Sequence, residues 1–111
     1  MASPPSNENA DPSSFVRDGY PPDLTRKLRR GAWPVGDELD LHGLNRQQAV
    51  SLVGNFLDQA RCRCVLIVHG KGEVLRAMLR QSLPQRADIV AFTEAPAAQG
   101  GSGAMLVLLK S

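Results

Sequence analysis

The chain has two histidines, and each stands where an apolar run stops. His42 closes Leu39-Asp40-Leu41-His42, and His69 closes Cys64-Val65-Leu66-Ile67-Val68. A neutral imidazole titrates near pH 6.5, so it can take or give a proton at neutral pH. Two positions before His42 stands Asp40, a carboxylate that can orient a neighbouring imidazole or stabilise its charged form. On a strand the side-chain period is two, which puts Asp40 and His42 on one face and Leu39 and Leu41 on the other. After His69 comes Gly70-Lys71-Gly72. The glycines let backbone approach a ligand closely. The helix start that follows offers free N–H groups and a dipole to an anion, and Lys71 adds a point charge suited to phosphate. Such a set fits acid–base chemistry at a phosphate. In isolation HGKG reads equally well as a turn with a solvated lysine, and GxxxxGK[ST] is absent.

The histidines need elements to bring them together. Leu39 to His42 alternates apolar and polar and predicts a strand ended by Gly43. Asn45 is a candidate N-cap, and Ala49, Leu52, Val53, Phe56 and Leu57 follow at helical spacing. Cys64 to Val68 is a continuous apolar run, the pattern of a strand buried on both faces. Val74, Leu75, Met78, Leu79 and Leu83 predict a second helix, stopped by Pro84. Ile89 to Phe92 and Ala104 to Leu109 predict two more strands. The order β-α-β-α-β-β predicts an α/β two-layer sandwich with a mixed four-stranded sheet. The first β-α-β should be a crossover between parallel strands. His42 and His69 would then meet at the carboxyl edge of the sheet, where open α/β sheets bind ligands. The glycines of Gly100-Gly101-Ser102-Gly103, before the last strand, read as a flexible turn or as a backbone wall around a phosphate.

The remaining chain divides in two. Residues 1–19 carry Pro, Ser and Asn with little to bury, which predicts a disordered tail. Residues 20–36 read as a basic helical arm or linker. Leu24 and Leu28 are four apart, Gly31 stops the run, and Arg26, Lys27, Arg29 and Arg30 form its polar side. These four cations suit either a solvated helix face or contact with a phosphate backbone. The domain proper would run from 37 to 111.

Composition narrows the classes. At 111 residues, 42% apolar and 22% charged, the chain suits one globular domain. Its net charge of +2 is too small to argue for nucleic acid by itself. The placement is more telling: from Arg61 to Arg80 five cations (Arg61, Arg63, Lys71, Arg76, Arg80) face one carboxylate, Glu73. With 5% aromatic residues, base stacking on aromatic platforms should not dominate. No apolar run reaches the roughly 18 residues of a membrane span, and the N-terminus lacks a secretory pattern. Cys62 and Cys64 read as neighbours on one strand face, about 6.5 Å apart, which strains a disulfide. Reduced thiols in a cytoplasmic protein follow. The residues specify no cofactor with certainty. A divalent metal on Asp40 and a histidine is conceivable, but one carboxylate is thin ligation for magnesium.

LDLHGL (39–44), VLIVHGKG (65–72) and VAFTEAP with GGSGAMLVLL (90–109) together resemble the small MutS-related (Smr) domain over residues 37–110. GYPPDLTRKLRRGAW resembles the segment preceding that domain in stand-alone bacterial members. The resemblance implies a fold like the C-terminal domain of translation initiation factor three. It also implies endonuclease activity on structured DNA, or cleavage of messenger RNA at stalled ribosomes. It carries the family motifs onto Asp40, Leu41, His42 and Gly43, onto His69, Gly70, Lys71 and Gly72, and onto Gly100, Gly101 and Gly103. The chain departs from the family in the short Arg61-Cys62-Arg63 link. It also has Ser82 near the place of a common tryptophan. The expectation is a nuclease with Asp40, His42 and His69 as catalytic residues. The other reading is a non-catalytic nucleic-acid or ribosome-binding module.

Overall fold

The computed structural model describes residues 14–111. Its elements are β1 (Phe15–Val16), α1 (Leu24–Arg29), β2 (Asp37–Asp40), α2 (Arg46–Gln59), β3 (Cys64–Val68), α3 (Glu73–Ser82), β4 (Ile89–Glu94) and β5 (Ala104–Leu109). Short 3-10 turns at Leu83–Gln85, Ala97–Gln99 and Gly101–Gly103 complete the order. One sheet holds all five strands in the order β1-β4-β5-β3-β2. β2 and β3 are parallel, as the crossover through α2 predicts. β5 is antiparallel to both β3 and β4, so β2, β3 and β4 all point the same way.

Local chemistry explains the helix starts. Asn45 caps α2 reciprocally: its side chain accepts from the Gln48 amide at 2.8 Å, and Gln48 accepts from the Asn45 amide at 3.1 Å. Gly72 precedes α3, with no side-chain cap, so the N–H groups of the first turn have no side-chain acceptor at the cap. Pro84 falls in the 3-10 turn that ends α3.

The sheet is covered on both faces. Val65, Ile67, Met105 and Val107 pack with Ala49, Val53 and Leu57 of α2 and Leu75, Met78 and Leu79 of α3. The alternate residues Cys64, Leu66, Leu106 and Leu108 pack with Leu24 and Leu28 of α1, helped by Trp33 and Val35. This explains the unbroken apolar runs of β3 and β5, and it corrects two expectations. The segment 20–36 contains the expected short helix but packs on the sheet as a partial third layer rather than standing off as an arm or linker, and the sheet has five strands rather than four. The fifth is β1, which pairs antiparallel with β4. It shortens the predicted tail: Arg17 donates from Nε to Ile89 O at 2.7 Å and from Nη2 to Pro84 O and Arg86 O at 2.8 Å each. Residues 1–13 of that tail lie outside the described residues.

Three smaller differences have simple causes. The first predicted strand ends at Asp40 rather than His42, because the chain turns at Gly43. Leu52 and Val74, counted with the apolar helix faces, are exposed. Cys62 lies before β3 begins and packs on the α2 side, whereas Cys64 faces α1. Both are free thiols, and burial pushes the Cys64 thiol up to about 11. Among the described residues no helix is long and apolar enough to cross a membrane.

Candidate functional site

The strand directions bring the three motifs to one edge. Asp40 is in register with Val68, and Val68 with Ala104, so the ends of β2 and β3 and the start of β5 form one row. The loops then lock together. Gly103 O accepts from the His69 amide at 2.9 Å and the Gly70 amide at 3.0 Å. A Cβ placed on Gly70 would lie 3.5 Å from the His42 Cβ, so the second motif passes directly beside the first. Gly43 and Gly70 both hold φ near +83°, a region that side chains disfavour and that these two turns require.

His42 stands at the edge with its side chain 72% exposed. Its Nδ1–H donates to Asp40 Oδ1 at 2.7 Å, and its backbone N–H donates to the same oxygen at 3.0 Å. The imidazole is thereby oriented with Nε2 pointing away from the pair, free for another partner. The side-chain hydrogen bond from His42, then the backbone one, holds the Asp40 carboxyl below its ordinary range. Asp40 therefore stays ionised and can stabilise an imidazolium beside it.

His69 is different. It is 3% exposed, and its Nδ1–H donates to Gly70 O at 2.8 Å. Burial first, then the nearby Arg76, lowers its pKa, against the opposing pull of the Gly70 bond, Glu73 and Glu94. The neutral form is favoured. His69 braces the turn that presents Lys71.

A cleft of about 410 Å³ joins the two motifs, lined by His42 and Leu44 on one side and by His69, Lys71, Gly72 and Glu73 on the other. Lys71 and Gly72 are exposed. The Gly70 amide is engaged by Gly103 and is not available to a ligand. Gly100, Gly101 and Gly103 are not among the cleft's lining residues; Gly103 instead supports the HGKG turn through its carbonyl. Arg26, Lys27 and Arg29 on α1 and Arg30 at its C-cap are all exposed, and α1 covers the sheet face opposite α2 and α3. They form a surface separate from the cleft.

Among the described residues no three His, Cys, Asp or Glu gather as metal ligands. Asp40 and His42 engage each other at the edge of the cleft. Another cavity, of about 200 Å³, lies between Arg61, Arg63, Asp88 and Lys110. Its carboxylate is held by Arg86, and it contains no imidazole. Glu73, Arg76 and Arg80 enter the sequence only as part of the charge balance; their spacing of three and seven along α3 is the signal that pairs them.

A family model described as the Smr domain matches residues 39–110. The chain is 36% identical over 111 residues to the ribosome rescue factor SmrB of Yersinia enterocolitica, covering 96% of this chain and 62% of the relative. It is 39% identical over 89 residues to the protein of the same name from Tolumonas auensis, covering 77% of this chain and 51% of that one. The chain thus spans only part of the length of these relatives. The crystal structure of YdaL, a stand-alone small MutS-related protein from Escherichia coli, superposes with a TM-score of 0.80 at 31% identity, over 92% of this chain and 86% of that one. The Smr domain of Thermus thermophilus MutS2 gives 0.65 at 33% identity, over 68% of this chain and 99% of that domain. With its three motifs joined at one sheet edge and the family model matching most of its length, the chain belongs to the Smr domain family.

Proposed function

We propose that this chain is a nuclease that cleaves phosphodiester bonds at the His42 cleft and works on RNA at or near the ribosome. One observation carries the reading: an exposed imidazole, oriented by a carboxylate, stands across a cleft from an exposed lysine at a helix start. Neutral His42 takes a proton at Nε2 from the attacking hydroxyl, a water or an RNA 2′-hydroxyl. Asp40 stabilises the imidazolium that results. Lys71 and the first-turn amides of α3 offset the charge that builds on the phosphoryl oxygens. His42 can return the proton to the departing oxygen. His69 acts as a positioning residue in this scheme: it reaches the cleft wall with 3% of its surface exposed, and its Nδ1–H is committed to Gly70 O. The cations of α1 give a second, electrostatic hold on the nucleic acid. The ribosomal setting comes from the name of the relatives, ribosome rescue factor.

The burial of His69 favours a second reading, a binding module without cleavage, since it leaves one exposed imidazole rather than two. Incubating purified protein with end-labelled RNA and DNA, single-stranded and structured, with and without EDTA, separates the two. Shorter products that persist in EDTA support a metal-independent nuclease. Retarded but intact strands in every condition support the module.

A further inference from the structure

Three side chains along α3 form an ion-pair chain that the proposed reaction does not use. Glu73 opens the helix. One of its oxygens accepts from Arg76 Nη2 at 2.9 Å and the other from Arg80 Nη2 at 2.7 Å. Spaced three and seven apart, they lie along one stripe of the helix. The Glu73 side chain is 59% exposed and lines the cleft that also holds His42 and Lys71. The hydrogen bonds from Arg80 and then Arg76 hold its carboxyl below the ordinary range, so it is ionised.

The arrangement is incomplete at one atom. Arg76 Nε is buried with no hydrogen-bond partner, the only such side-chain atom among the described residues. Nε and Nη2 of a guanidinium form a two-toothed fork that suits carboxylate or phosphate. Glu73 fills one tooth, because its second oxygen goes to Arg80. A buried donor left unpaired is unfavourable and asks for an explanation. The two arginines carry one more charge than the carboxylate between them. Arg76 sits next to the cleft wall through its 2.9 Å bond to Glu73, which lines the cleft.

We propose that Arg76 and Arg80 form a second phosphate subsite next to the cleft, which Glu73 occupies in the free protein and yields when nucleic acid binds. The neighbouring phosphodiester of a strand held at His42 takes both teeth of Arg76 and the free donors of Arg80, and Glu73 turns out to solvent. An exposed carboxylate held by ion pairs is a weak competitor, so the exchange is easy to drive. Glu73 sets a threshold: isolated small anions are discouraged, and a polyanion that also engages Lys71 prevails. This inference rests on the cleft being an anion site. The competing account makes Glu73 a first-turn acid that complements the helix dipole, with the arginines as ties within the helix.

Binding of a fluorescent single-stranded RNA, measured by anisotropy in the His42→Ala background, tests the exchange without needing cleavage. Glu73→Gln should bind roughly 3- to 10-fold tighter, because a competing charge is gone. Asp58→Asn makes the same change in net charge at an exposed carboxylate near the far end of α2, and it should change binding less than about 2-fold. In Arg76→Gln, the Glu73→Gln gain should vanish, since the two residues act on one phosphate. The proposal is overturned if Glu73→Gln matches Asp58→Asn, weakens binding, or keeps its gain without Arg76. If no variant binds RNA, the proposed function fails. The Arg76 Nε–H NMR signal then decides this inference alone. Titrating inorganic phosphate should shift it at lower concentration in Glu73→Gln than in the parent protein, and equal titrations would reject the subsite.

Discussion

Replacing Arg26, Lys27, Arg29 and Arg30 together by Ala removes four cations from α1 and its C-cap and leaves the helix anchors in place. Leu24 and Leu28 are buried under the helix, while all four cations are exposed, so the variant loses charge and little packing. Lys27 has one ion-pair partner, Asp23 at 3.8 Å, an exposed pair that holds little. Alanine is also the better helix former. Melting should therefore stay within about 0.5 kcal/mol of the parent stability. The effect should fall on binding. Each phosphate neutralised contributes about 0.7 to the slope of log affinity against log salt on single strands. If all four contact phosphate, the slope flattens by about 3. A fourfold rise in salt would then weaken the parent about 50-fold more than the variant. Anisotropy titrations of labelled RNA at several salt concentrations measure both slopes. Parallel lines would refute the reasoning and leave α1 as a solvated cover over the sheet.

Other consequences follow from single residues. His69 has a lowered folded pKa, so the unfolded chain takes up a proton there that the folded chain refuses. Stability should fall as pH drops below the ordinary histidine value of 6.5 and stop falling on this account below the lowered value. His69→Asn should flatten that part of a melting-against-pH series, and an unchanged profile would mean that His69 does not stay neutral in the fold. Arg17→Ala removes three hydrogen bonds to the carbonyls of Pro84, Arg86 and Ile89, and should lower stability by about 2–4 kcal/mol in denaturant titrations. A loss under about 0.5 kcal/mol would show that the N-terminal clamp is dispensable.

Where the sequence was legible, a local pattern had one structural solution. LDLHG and LIVHGKG met at one edge because a β-α-β unit lays its strands parallel, and β2 and β3 pair directly. Asn45 and Gln48 announced the start of α2 by their spacing. The unbroken run of β3 promised cover on both faces, yet the second cover went unrecognised. α1 is six residues long, with two buried leucines under three cations and a fourth, Arg30, at its C-cap, and that pattern resembles a solvated arm. β1 has two residues and no period to read. The insertion of β5 between β3 and β4 is a long-range choice that no local pattern records. His69 looked like the twin of His42 because both end strands. What separates them is tertiary: β2 lies at the sheet edge and β3 inside it, so one imidazole is open and the other enclosed.

The central claim is that His42, held by Asp40, moves the proton. Single-turnover cleavage of end-labelled RNA by the parent protein, His42→Ala and Asp40→Asn tests it most directly. Loss of one acid–base group should slow cleavage about 10²- to 10⁴-fold, equivalent to roughly 3–5.5 kcal/mol of barrier. Asp40→Asn should fall between parent and His42→Ala, because the imidazole remains while its orientation and charge support weaken. Both variants should melt like the parent, since the two side chains are 72% and 51% exposed. Cleavage by His42→Ala at the parent rate, or a parent protein that binds RNA and never cuts it with or without divalent metal, would contradict the account.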